Sequence, residues 1–143
     1  MPRASRFPIP SILAKEMMEN IFNLFSSLSS KDNAQVVYRE FFTKEEQTMI
    51  SKRLMVFMLL EKGYTTSQIA NLIGVSKEMV RVSELSWAEK DNQFKDLIRQ
   101  VIKQSEKGKL WEHITELLKP LDLALQAKND MQSRAKLYQG DIT

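Results

Sequence analysis

The chain has no cysteine, only four glycines and four prolines, and a single histidine. Without thiols it can build neither a disulfide framework nor a thiolate metal site, and nothing in it calls for an oxidising compartment. One histidine, His113, is too little for a His-rich metal site or for a Ser-His-Asp arrangement drawn from several candidates, and it is expected on a helix surface. Scarce Gly and Pro leave little material for the many turns of a β-protein, whereas Leu, Met, Ile, Lys and Glu fill long stretches. The fold class that follows is all-α. No Gly-rich phosphate loop is present. The apolar residues behind Arg3 and Arg6 are interrupted by Lys15, Glu16 and Glu19, so neither a signal peptide nor a membrane span fits. The expectation is a cytoplasmic protein without membrane association, cofactor or enzymatic activity. Its carboxylates lie among Lys and Arg and read as solvated helix faces rather than catalytic pairs.

Charge of one sign is also not concentrated anywhere. The net charge is +3 with a pI near 9.1, but residues 1–42 carry five basic and four acidic side chains, 43–90 seven and six, and 91–143 nine and eight. Each third is +1, so any basic surface has to be created by folding and by dimerisation. What the chain does have is apolar material, 43% of its 143 residues, enough for a sizeable core in one domain.

MPRASRFPIP, with Pro2, Pro8 and Pro10, predicts an extended arm over residues 1–10. From Ser11 a helix is expected, with Leu13, Met17, Ile21, Phe25 and Leu28 on one stripe and Met18 and Phe22 beside it. SSLSSKDN breaks that pattern before a shorter helix, AQVVYREFF. Thr43 and Glu46 in TKEE form a capping box, and Met49, Ile50, Leu54, Phe57 and Leu60 recur at three- and four-residue spacing up to Gly63. A helix over 44–62 is predicted. Farther on, Phe94, Leu97, Ile98, Val101 and Ile102 share a face, and Gly108 marks a break. A last helix carries Trp111, Ile114, Leu117 and Leu118, and Pro120 is expected to stop or kink it. Trp87 and Trp111 are read as core or interface residues.

Between those helices lies GYTTSQIANLIGVSKEMVRVSE. Two helices that cross steeply need a small residue at the contact, a glycine at the turn and apolar residues locking the second helix onto the first. Ala70, Gly74 and the set Ile69, Ile73, Val75 and Val80 meet those needs, which predicts a helix-turn-helix. Ser76 is placed to cap the second helix, and Ser76, Lys77, Glu78 and Arg81 then face outward near its N-terminus, where base edges are reached. Thr66 and Gln68, at the start of the first helix, complete the candidate DNA-binding set. Glu78 repels phosphate unless it accepts from a cytosine amino group or pairs with Lys77 or Arg81.

FFTKEEQTMISKRLMVFMLLEKGYTTSQIANLIGVSKEMV resembles the core of the Trp repressor superfamily, closest to its bacterial relatives without an established ligand. The likeness runs from about Phe41 to Ser86. It implies an intertwined helical homodimer, a regulator of transcription and most simply a repressor, with double-stranded DNA as partner. Residues 11–105 would form the dimerisation and DNA-binding domain and 106–143 a C-terminal helical extension. Thr43 and Arg53 match two residues of that family's tryptophan pocket, but the position of its second arginine falls on Val82. Arg81 cannot stand in, because one step along a helix turns a side chain by about 100°. Tryptophan is therefore not expected as corepressor, and Thr43 and Arg53 remain candidates for some other ligand. The alternative function is a helical protein-interaction module that keeps the helix-turn-helix as scaffold. DNA binding predicts loss of affinity at high salt; the scaffold reading does not.

Overall fold

The α-helix is the only regular element among the described residues of the computed structural model, which cover 8–140, with backbone alone for 125–127, 129, 130 and 132–140. Residues 1–7 of the expected arm, with Arg3 and Arg6, lie outside them. Seven helices follow in order: α1 Ser11–Ser26, α2 Lys31–Phe41, α3 Lys44–Lys62, α4 Thr66–Ile73, α5 Lys77–Ala88, α6 Asn92–Ser105 and α7 Leu110–Gly140. Residue contacts divide the chain into two units, Met1–Arg53 and Leu54–Thr143, so α3 begins in one and ends in the other.

In the first unit, α1 starts where the periodicity puts it, yet none of its residues is buried. Ile12 is 75% exposed and Met18 60%, with Met17, Phe22 and Phe25 also open, so the apolar face has no cover within the unit. The next helix begins at Lys31, three residues ahead of the expected AQVVYREFF. Ser30 caps it by accepting from the Asn33 amide at 3.1 Å, and Asp32 sits favourably in its first turn. Polar residues that break an apolar pattern here start a helix rather than only ending one. The Thr43 box is closed as expected: the Thr43 amide donates to Glu46 Oε2 at 2.8 Å and the Glu46 amide to Thr43 Oγ1 at 3.2 Å. Gln47 Nε2 donates to the Phe42 carbonyl at 2.9 Å, and the Tyr38 hydroxyl donates to the Gln47 carbonyl at 2.7 Å and also meets Ser51, tying α2 to the start of α3.

The second unit holds the core. Val56 and Leu59 of α3, Ile69 and Ala70 of α4, Val80 of α5, and Ile114 and Leu118 of α7 form one buried cluster. A second cluster joins Met58 to Ile98 and Ile102 of α6. Beside it Phe57 stacks on Trp87 with ring centres 5.4 Å apart, and Phe94 meets both edge-on at 6.0 and 6.2 Å. Trp111 stacks on Tyr64 at 6.4 Å, receives Lys62 over its face at 4.7 Å, and donates its indole N–H to Ser105 at 3.0 Å. Both tryptophans are thus packing residues, as expected, and His113 is exposed on α7. Arg99 bridges Glu61 of α3 at 2.7 Å and Asp96 at 2.9 Å. The Glu61 bond first, then Asp96, raises its pKa further, although solvent weakens such pairs.

Gly63, at φ +89°, ends α3, and its left-handed backbone is one that side chains with a Cβ rarely adopt. Gly108 lies in the break between α6 and α7, as predicted. Of the stop or kink expected at Pro120 the stop does not occur, because α7 runs on to Gly140. Proline removes one backbone bond and crowds the carbonyl four residues earlier, at a cost of about 3 kcal/mol in a helix interior. Here Glu116 and Pro120 both face solvent, so water can take up the freed carbonyl. Leu118 just before and Leu121 just after pack against the core and hold the helix in place on both sides of the proline. Packing therefore outweighs the local preference.

The same cluster gives α7 a structural duty. Ile114→Ala is expected to cost about 2–5 kcal/mol in denaturant unfolding. Leu117→Ala, next to it in the helix pattern but 67% exposed, should stay within about 0.5 kcal/mol. Equal effects of the two would mean that α7 does not build the core.

Candidate nucleic-acid interface

The candidate site is α4, the turn after it and α5, all within the second unit. Thr65 opens α4 with its own capping box: the Gln68 amide donates to Thr65 Oγ1 at 3.2 Å and the Thr65 amide to Gln68 Oε1 at 3.0 Å. Gln68, assigned to DNA from its position alone, thus also holds the entry to the motif, and T-x-x-Q was a legible signal for that role. Thr66 is the first helical residue beside it and is half-buried.

Gly74 terminates α4 in the left-handed region, at φ 70° and ψ 47°, and its amide and that of Val75 both donate to the Ala70 carbonyl, at 3.1 and 3.2 Å. The chain can then reverse within Gly74-Val75-Ser76. Ser76 caps α5, its hydroxyl oxygen accepting from the Met79 amide at 3.0 Å. Val80 is 0% exposed, in one cluster with Ile69 and Ala70, so α5 is locked to α4 in a single rotational setting. Ile73 and Val75 are half-buried against the same cluster.

That setting decides what looks outward. At about 100° per residue, Glu78 and Val82 lie roughly 160° around the helix from Val80, Arg81 about 100° and Lys77 about 60°. Ser76, Lys77, Glu78 and Arg81 are all exposed. Among the described residues no hydrogen bond or ion pair engages the side chains of Lys77, Glu78 or Arg81. The structure therefore brings the α5 candidates onto one open end of one helix, with Thr66 and Gln68 on α4. Val82 at 57% and Leu85 at 72% continue the exposed face as apolar surface that the sequence reading left out of the candidate set. At the other end of α5, Lys95 donates to the Ala88 carbonyl at 3.3 Å and lies over Trp87, which helps to hold the helix terminus.

A family model described as Trp repressor protein matches residues 16–102, well over half of the chain. The chain belongs to that family. The match is broader than the Phe41–Ser86 likeness, taking in most of α1, all of α2 and nearly all of α6, and it ends before α7. No curated protein and no solved structure matches the chain. As a member of the Trp repressor family it is a helical DNA-binding regulator in general outline.

Thr43 and Arg53 share one cavity of about 630 Å³ in the first unit, lined also by Phe42, Glu45, Glu46, Met49 and Ile50. Thr43 and Glu46 are already engaged in the α3 cap, and among the described residues Glu45 and Glu46 stand on the same wall as Arg53. Among the described residues no cluster of three or more His, Asp or Glu could hold a metal ion, and no helix is long and apolar enough to cross a membrane.

Proposed function

We propose that the protein is a homodimeric, sequence-specific DNA-binding regulator of transcription that inserts the N-terminal half of α5 into the major groove. The observation that carries this reading is the open end of α5: a capped helix whose inner side is sealed by Val80 and whose exposed charged side chains, Lys77, Glu78 and Arg81, have no partner among the described residues. Charged groups left unpaired at a pre-set helix end are available to a ligand without first breaking internal bonds. Lys77 suits phosphate, and Arg81 suits the two acceptors on the major-groove edge of guanine. On this reading Gln68 and Thr66, at the N-terminus of α4, contact the DNA backbone.

Dimerisation is supported by the bare face of α1 and by Leu97 and Val101, which stay exposed on α6 while Ile98 and Ile102 are buried. Exposed apolar residues in such numbers are unusual for a monomer. A cytoplasmic location accords with a regulator of transcription. Tryptophan is not its corepressor on this reading, since Val82 replaces one arginine of the pair and the Thr43–Arg53 cavity is lined by two glutamates.

Arg81→Ala should cost about 1–3 kcal/mol on a selected operator and relax preference at one base position, whereas Lys77→Ala should weaken all sequences nearly alike. Fluorescence anisotropy against selected and scrambled duplexes, with folding checked for each variant, measures both. Unchanged affinity for both duplexes would exclude α5 from the groove and favour the protein-interaction module. Native mass spectrometry should find two copies in the particle; a stable monomer at micromolar concentration would refute the dimer. Calorimetric titration with tryptophan should show no tight binding, and a tight complex would restore it as an effector.

A further inference from the structure

Glu78 is the difficult residue of the proposed interface. Of the three charged candidates on α5 it points most squarely away from Val80, so a helix that enters DNA with this rotational setting must carry the carboxylate inward with it. A carboxylate facing a polyanion is unfavourable unless it finds a donor. Arg81, one turn along the helix, and Lys77, next to it, were the internal candidates for neutralising it. Neither pairs with it among the described residues.

The donors must then come from the DNA, and the major groove offers two: the N4 amino group of cytosine and the N6 amino group of adenine. Adenine sets its N7 acceptor beside that amino group, which suits an amide that donates and accepts at once and repels a carboxylate. Cytosine presents its amino group without an adjoining acceptor on the same base. We infer that Glu78 selects cytosine at one position of each half-site by accepting a hydrogen bond from N4. The inference rests on α5 entering the groove and adds to it the base that this side chain chooses. Glu78 thus contributes discrimination while opposing affinity, and Lys77 and Arg81 supply the attraction that offsets it.

The test compares the full-length wild type with Glu78→Gln and Glu78→Ala. Duplexes selected from a random library by the wild type are varied at each base, and affinities are read by anisotropy at two salt concentrations. All three proteins are first checked by thermal melting, since Glu78 is exposed and its replacement should leave the fold intact. The wild type should prefer cytosine at one position by about 5- to 150-fold. Glu78→Gln should move that preference to adenine, whose N6 and N7 a glutamine can engage together, and Glu78→Ala should abolish it, with other positions unchanged. If both variants instead bind every duplex more tightly with base preferences unaltered, Glu78 acts only as a repulsive charge and the inference fails alone. If the wild type binds no duplex even at low salt, the DNA-binding reading itself fails and takes this inference with it.

Discussion

Burial of Val80 against the α4 side of the core is the constraint on which the outward chemistry of the protein depends. A cylinder packed on one side is free to roll unless one residue fits a fixed hole, and Val80, completely buried in one cluster with Ile69 and Ala70, removes that freedom. The left-handed backbone of Gly74 allows α5 to begin after a turn of only three residues, and the Ser76 cap fixes where it begins. Registration and rotation are thereby both determined before any ligand arrives. The side chains on the open face inherit their directions from one buried valine on the hidden one.

That hidden contact is itself supported by a helix from outside the family module. The Trp repressor match ends at residue 102, yet Ile114 and Leu118 of α7 stand in the same cluster as Val80, Ile69, Val56 and Leu59. Trp111 adds a second hold where α3 ends, through its stack on Tyr64, the Lys62 ammonium over its ring and its hydrogen bond to Ser105. Lys62 also pairs with Glu106 at 2.9 Å, so the α6–α7 turn is tied to α3 by charge as well as by packing. The first part of α7 is therefore part of the core that carries the motif, although its sequence lies beyond the family's pattern.

Helix starts and stops were legible in the sequence wherever a local device sets them. Thr43 with Glu46, Ser76, Gly63 and Gly74 act through atoms within four residues, and each could be read from spacing alone. The missed signals were of the same local kind, namely Ser30 ahead of α2 and the Thr65–Gln68 box ahead of α4. That Pro120 did not stop its helix has a different reason. Its cost is local, whereas the packing of Leu118 and Leu121 that overrides it is tertiary and has no mark in a three-residue window. Periodicity showed which residues share a face and left open whether that face would be covered. Ile98 and Ile102 are buried and Leu97 and Val101 are not, although all four belong to one apolar pattern. The candidate site was legible in its residue types because outwardness on α5 follows from one inward valine. The absence of a partner for Glu78 among the described residues was not, since an ion pair with Arg81 satisfies the same spacing.

The charge balance gives the proposed interface its character. Each third of the chain carries a single excess positive charge, so diffuse attraction to phosphate is weak, and the open end of α5 sets two cations against one carboxylate. Affinity drawn from counterion release scales with the number of phosphates neutralised, and such a face neutralises few. Binding would then have to come from base contacts and from doubling the face through a second copy, both of which act only on a correctly spaced site. A helix that gives up electrostatic attraction by holding Glu78 outward is poorly suited to hold arbitrary DNA. It is better suited to reject wrong sequences, because there the carboxylate meets acceptors and is left unpaired.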